Sequence, residues 1–202
     1  MRATSRKEVL LKKGICQVMR ILLQRGLITS LSGNVSARLP GSKEIWITPS
    51  KVFKGSLSSN NLVKIDLEGR VLRGRFSPSI EWPLHTAIYK VRPDINAVVH
   101  AHNPITIGLT LSNVKFKLLT MEAQMLLKKV PIIPPIRPGT RMLAKLVAEK
   151  IVDAKGIILQ SHGVVGVGFD LTEAISIVEV IEENAKILLI KLVSESLQKL
   201  SL

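Results

Sequence analysis

Several things are scarce in this chain, and each scarcity excludes something. Its 202 residues contain one cysteine, Cys16, so no disulfide can close within the chain, which fits a reducing compartment. Aromatic residues make up 3% of the sequence, too few for platforms on which nucleic-acid bases would stack. No apolar run approaches the roughly 18 residues of a membrane span. Near the N-terminus, Lys12 and Lys13 interrupt the stretch that would otherwise serve as a signal-peptide core. A soluble cytoplasmic protein with no membrane partner is therefore expected. Acidic residues are also few, 15 against 29 Lys and Arg, giving a net charge of +14 and a pI near 10.2. Such a charge calls for an anionic partner. The basic residues are scattered without a block of five, so the clustered footprint of a nucleic-acid binder is missing. A phosphorylated small molecule needs only a few local donors and suits the pattern better.

At this length, with no internal repeat or linker, one domain over residues 1–202 is expected. Ser5 followed by Glu8 reads as a capping box opening a helix over 5–25, with Gly26 as its stop. "NVSARL", "PGSK" and "EIWIT" read as a hairpin, and "LVKIDLEGRVL" as a second that turns at Glu68-Gly69. "SIEWPLHTAIYKVRP" predicts a helix from near Ser79, with Pro83 tolerable in its first turn. The strand "INAVVHA", a helix after Pro104 and a short helix "MEAQMLL" follow. Prolines at 134–135 and "RPGT" mark a loop, and Thr140 caps the next helix. "GIILQS" and "VVGVG" read as strands around His162-Gly163, and a long helix runs from about Thr172 to Ser196. Adjacent hairpins among helices imply a sheet with much antiparallel pairing.

There are only four histidines, and two of them, His100 and His102, fall two residues apart in one apolar strand. At that spacing both rings project from the same face. Neutral imidazoles held together in an apolar setting suit a divalent metal. His162, at the turn before Gly163, offers a third imidazole, and Glu81, at a helix start, offers a carboxylate. Three histidines and a carboxylate fit a catalytic zinc with a base beside it, or a closed four-ligand site. The remaining histidine, His85, reads as a helix-surface or packing residue. "GVVGVGFD" lacks the G-x-G-x-x-G spacing, so a dinucleotide site is not expected.

"SGNVSAR" (32–38), "SIEWPLHTAIYKVRPDINAVVHAHNP" (79–104), "PGT" (138–140) and "SHGVVGVG" (161–168) together resemble the class II aldolase/adducin family, whose type enzyme is L-fuculose-1-phosphate aldolase. The resemblance implies an α/β fold, a three-layer α/β/α domain with a mostly antiparallel mixed central sheet, assembled as a homotetramer with sites between subunits. It implies that His100, His102 and His162 bind zinc (Zn2+) and that Glu81 is the catalytic glutamate, able to ligate the metal when substrate is absent. It also implies a substrate-phosphate site at Gly33, Asn34, Ser50, Lys51 and Ser79. The implied reaction is that of a lyase: cleavage of a short ketose 1-phosphate into dihydroxyacetone phosphate and an aldehyde, with zinc stabilising the enediolate.

The sequence departs from the family pattern in three places. Lys51 stands where a glycine is expected, and Ile80 replaces a phosphate-binding serine. The tyrosine that donates a proton from a neighbouring subunit falls near Met121, and the sole tyrosine, Tyr89, lies in the helix after Glu81 and reads as structural. Glu122, beside that position, is the candidate to take over acid/base catalysis. This glutamate also keeps open a dehydratase of the methylthioribulose-1-phosphate type. A sugar-phosphate 4-epimerase and a non-catalytic adducin-like binding protein are further alternatives.

Overall fold

The computed structural model describes residues 5–112 and 114–200. Helix α1 (Arg6–Gln24) starts at Ser5, whose hydroxyl accepts from the Glu8 N–H as the capping pattern requires. The Glu8 carboxylate accepts from the Trp46 indole at 2.8 Å and pairs with Lys64 at 3.0 Å, tying the helix to the sheet. Then come β1 (Asn34–Ala37), β2 (Glu44–Ile47), a single 3-10 turn (Lys54–Ser56), β3 (Val63–Asp66) and β4 (Val71–Arg73). Helix α2 (Trp82–Val91) leads into β5 (Ala97–Ala101), α3 (Pro104–Leu111) and α4 (Met121–Leu127). The chain continues through β6 (Ile132–Ile133), α5 (Arg141–Ile151), β7 (Gly156–Leu159), β8 (Gly163–Gly168) and α6 (Leu171–Leu200).

The eight strands form one sheet in the order β4-β3-β2-β1-β5-β8-β7-β6. All neighbours are antiparallel except β6 and β7, which run parallel. Strand alternation divides the interior into two cores. Val35, Ala37, Trp46, Val99, Ala101 and Val164 meet α1 and α6 through Ile15, Met19, Ile177 and Ile181. Ile45, Ile47, Val98, Ile157 and Val165 meet α2 and α5 through Leu84, Ile88, Leu143 and Val147. The result is helix, sheet, helix, the expected three-layer arrangement. Asn34, Ser36 and His100 fall at the alternate positions of β1 and β5, so they face α2.

Two differences from the sequence reading matter. Helix α2 begins at Trp82, three residues later than expected, which makes Glu81 its N-cap residue with no capping bond from its side chain. The carboxylate is thereby left available for other partners. The two-residue strand β6 was hidden in what reads as the start of a proline-rich loop. It is too short for any period to show, and pairing with β7 creates it.

Helix α6 is fastened to α3 by a buried carboxylate. Glu182 accepts from the Ile105 and Thr106 N–H groups at 3.0 and 3.1 Å and from the Thr106 hydroxyl at 2.7 Å. These are the otherwise unpartnered donors of a helix N-terminus, where negative charge is favoured. Glu182→Ala should lower unfolding free energy by roughly 3 kcal/mol, because buried donors lose a charged acceptor. Chemical denaturation followed by circular dichroism measures this.

Candidate metal and active site

Strand β5 is paired on both edges, with β1 and β8, and its end is fixed by the His102 N–H donating to Leu27 O at 2.8 Å. This carries His100 and His102 to the rim of the sheet. His162 comes to the same place through the β7–β8 turn. Ser161 there is left-handed, with φ +64°, a conformation that costs a non-glycine residue roughly 1–2 kcal/mol. Gly163 lies so close to β5 that a Cβ would collide with the Ala101 carbonyl and sit 3.1 Å from His102 Cα. That close approach presses the turn, and His162 with it, onto the other two rings.

The three imidazole centroids form a triangle with sides of 4.6, 5.0 and 5.2 Å. His100 Nε2 is 3.2 Å from His162 Nε2 and 3.3 Å from Glu81 Oε2, and His162 Nε2 is 3.6 Å from Glu81 Oε1. One donor atom from each of Glu81, His100, His102 and His162 lies within 4.8 Å of the others. A four-coordinate divalent metal with bonds near 2 Å spaces its ligands by about 3.3 Å, so the set fits such an ion. Two further observations agree. His100 Nδ1 faces Val164 O at 3.0 Å, which places its proton there and leaves the Nε2 lone pair pointing into the cluster. Glu81 Oε1 is buried without a hydrogen-bond partner. Burial, reinforced by neighbouring imidazoles, lowers His100 and His102 to about pKa 3, so both are neutral at physiological pH, as ligands must be.

Two of the residues expected at an anion site adjoin the cluster: Asn34 bonds to Glu81, and Ser79 Oγ accepts from the Glu81 N–H at 3.3 Å. Gly33 is left-handed at φ +69° and leads directly into Asn34. The Ser50 N–H donates to Ser77 O and the Ser79 N–H to Thr48 O, so the two serine loops are laced together. Lys51 is exposed and left-handed at φ +55°, which explains why the family pattern calls for glycine there. Gly139 of "PGT" packs against the carbonyl of Ile80, where a Cβ would come within 2.9 Å. The Asn34 side chain, however, turns inward: its amide donates to Glu81 Oε2 at 2.8 Å, and its oxygen lies 2.5 Å from His85 Nε2.

Glu122 lies in the first turn of α4, exposed, and is not among the four clustered residues of its own chain. It lines a cavity of about 510 Å³ with Arg25, Leu27, Glu179 and Lys186. That cavity approaches the cluster through Leu27, whose carbonyl holds the His102 N–H.

One basic residue escaped the sequence reading. Lys54 is only 2% exposed. Its Nζ donates to Pro49 O at 2.9 Å, and its own N–H donates to Ser30 O. It thus ties the turn before Gly33 to the loop carrying Ser50 and Lys51, and nothing in "VFKGS" distinguishes it from a surface lysine. Of the two readings of His85, helix surface or packing, the structure gives the second: it is wholly buried. The signal was present in the spacing Glu81, His85, Tyr89, a single helical stripe.

With this geometry in view, comparison with known proteins is decisive. Residues 13–189 match the profile of the Class II Aldolase and Adducin N-terminal domain. The chain belongs to this family. Among curated class II aldolase relatives, the L-fuculose phosphate aldolase of Methanocaldococcus jannaschii is 38% identical over 181 residues, 90% of this chain and 97% of the relative. The 3-oxo-tetronate 4-phosphate decarboxylase of Escherichia coli (strain K12) is 33% identical over 186 residues, 89% of this chain and 86% of the relative. The crystal structure of l-fuculose-1-phosphate aldolase from Thermus thermophilus superposes with a TM-score of 0.83 at 31% identity, covering 92% of this chain and 96% of that one. Both named activities are those of lyases. No helix among the described residues is long and apolar enough to cross a membrane.

Burial pushes Lys54 from its ordinary value of 10.5 down to about 8. The folded chain therefore releases this proton near pH 8, whereas the unfolded chain keeps it to about 10.5. Between those values the unfolded state binds more protons, so stability contributed at this position rises with pH across the window. Relative to Lys54→Met, the parent should gain stability as pH is raised from 7 to 10, measured by urea denaturation of both proteins. A constant difference would mean the lysine is not desolvated.

Proposed function

We propose that this chain is a zinc-dependent lyase that cleaves a carbon–carbon bond in a short ketose 1-phosphate, giving dihydroxyacetone phosphate and an aldehyde. The observation that carries this reading is the cluster of Glu81, His100, His102 and His162, with a buried carboxylate oxygen that has no other partner. Three nitrogens and one oxygen favour zinc over the harder divalent ions. Such a cleavage leaves an electron pair beside a carbonyl, and a metal held by these residues would supply Lewis-acid stabilisation for the charge reaching that oxygen.

The chain's own residues supply the rest. Glu81, held at Oε2 by Asn34, is the group that moves a proton at the carbon beside the carbonyl. The substrate phosphate is assigned to the turn at Gly33-Asn34, the hydroxyls of Ser50 and Ser79, and the Lys51 ammonium. The Asn34 amide is engaged with Glu81 and His85, so its share of anion binding falls to the backbone. Exposed Met121 and Met125 flank Glu122 on α4, and that apolar setting supports a homotetramer in which Glu122 serves a neighbouring subunit's site. A second reading, decarboxylation of a 3-oxo sugar-acid phosphate, is favoured by the Escherichia coli relative. It breaks a carbon–carbon bond beside a carbonyl with the same residues, and carbon dioxide leaves in place of an aldehyde.

Protein purified without added metal should contain about one zinc per chain by elemental analysis, and His100→Ala should lose it. A panel of ketose 1-phosphates should release dihydroxyacetone phosphate. Release of carbon dioxide from 3-oxo-tetronate 4-phosphate, with no aldol cleavage, would replace the first reading by the second. Normal metal content in His100→Ala would remove the basis of both.

Glu122→Gln keeps shape but abolishes proton transfer, so kcat should fall by roughly 100-fold with zinc content unchanged. Parent-like turnover would assign the proton donor to water or another group.

A further inference from the structure

Behind Glu81, a file of buried polar side chains runs between β1 and α2, away from the metal cluster. Asn34 Nδ2 donates to Glu81 Oε2 at 2.8 Å, and Asn34 Oδ1 lies 2.5 Å from His85 Nε2. His85 Nδ1 is 2.7 Å from Ser36 Oγ, and the Tyr89 hydroxyl, with one proton to donate, lies 2.9 Å from Ser36 Oγ and 3.1 Å from Ser36 O. None of the five side chains is more than slightly exposed, and His85 and Ser36 are fully enclosed. Their surroundings are Leu84, Ile88, Val98 and other apolar residues of the same core.

The direction of the hydrogen bonds follows from the carboxylate end. An ionised carboxylate only accepts, so the Asn34 amide must present its NH2 to Glu81 and its oxygen to His85. That oxygen also only accepts, so His85 carries its proton on Nε2. The bare Nδ1 must then accept from the Ser36 hydroxyl, so the Tyr89 hydroxyl shares its one proton between Ser36 O and Ser36 Oγ. Turned by half a rotation, the Asn34 amide would set its oxygen against the carboxylate at hydrogen-bond distance. The Nε2–H of His85 prevents this, and Ser36 keeps the proton on Nε2.

Packing alone gives no reason for the arrangement. Filling such a space with apolar side chains is commonly neutral or stabilising, because no polar group then has to leave water. We propose that His85 is a positioning residue: through Asn34 it holds Glu81 Oε2 where that oxygen meets His100 Nε2 at 3.3 Å, and so keeps Oε1, 3.6 Å from His162 Nε2, within the same cluster, with Ser36 and Tyr89 selecting the His85 tautomer that can do this. The proposal rests on the reading of Glu81 as the proton-transferring ligand.

The test compares His85→Leu, His85→Gln and Ser36→Ala with the parent, each saturated with zinc. His85→Leu cannot donate to Asn34. Its kcat should fall by roughly 10- to 100-fold with KM changed little, and its zinc affinity, by chelator competition, should weaken by about tenfold. His85→Gln retains an N–H at comparable reach and should recover most of both losses. Ser36→Ala should move the same quantities in the same direction. Thermal midpoints should not follow that order, as they would if His85 merely filled space. Side-chain 15N spectra of the parent should show His85 as the Nε2–H tautomer, readable because the chain has only four histidines. An Nδ1–H tautomer, or His85→Gln no better than His85→Leu in both kcat and zinc affinity, would overturn the proposal. If His85→Leu does not fold, the Gln and Ser36→Ala variants carry the comparison. Should the parent cleave no substrate offered, the functional reading fails, while zinc affinity and the tautomer still decide the role of His85.

Discussion

The site depends above all on strand register. Asn34 lies opposite His100 across the β1–β5 ladder, and His100 lies opposite Val165 across β5–β8. Side chains alternate along a strand, so a slip of one residue would turn His100 and His102 away from Glu81 and send Asn34 and Ser36 to the opposite core. Burial on both faces makes such a slip costly: Val99 and Val98 belong to opposite cores and cannot both be satisfied in any other alignment. The pairing that holds the middle of the molecule together is also what aims the clustered side chains.

Polar groups are distributed very unevenly about this frame. Against the α1/α6 side the sheet presents mainly aliphatic residues, with the buried Glu182 turned to α3, whereas the α2 side carries the imidazoles, the Glu81 carboxylate and the Asn34–His85–Ser36 file. In a chain of net charge +14, His85, His100 and His102 on that side are nonetheless kept neutral by burial. Desolvation rather than the surface charge sets the state of these imidazoles. A basic exterior thus draws anions inward, while the interior stays receptive to a cation.

Much of this was legible in the sequence, and the physical reason is periodicity. The two-residue spacing of His100 and His102, the Ser5 and Thr140 caps and the hairpin turns are local signals, and each holds in the structure. The chain's place in the class II aldolase and adducin family was equally readable, because its motifs lie in order along nearly the whole length. What could not be read depends on partners far apart in sequence. Asn34 looked like part of an anion-binding turn, and only the approach of α2 reveals that its side chain turns to Glu81 and His85. Lys54 resembles any surface lysine until the Pro49 carbonyl is seen to meet it. Strand β6 exists because β7 runs beside it.

The turn that carries His162 has a further meaning for how the protein is made. Glu81, His100 and His102 leave the ribosome well before β7 and β8, yet β8 is the strand that pairs with the free edge of β5 and brings the last imidazole. A chain interrupted before that hairpin would present a carboxylate and two histidines on an unfinished sheet edge. Only insertion of β8 both covers that edge and completes the His/Glu cluster. Completion of the four-residue cluster is therefore tied to a long-range strand pairing, so an ion held by all four would mark chains whose central strands are in place.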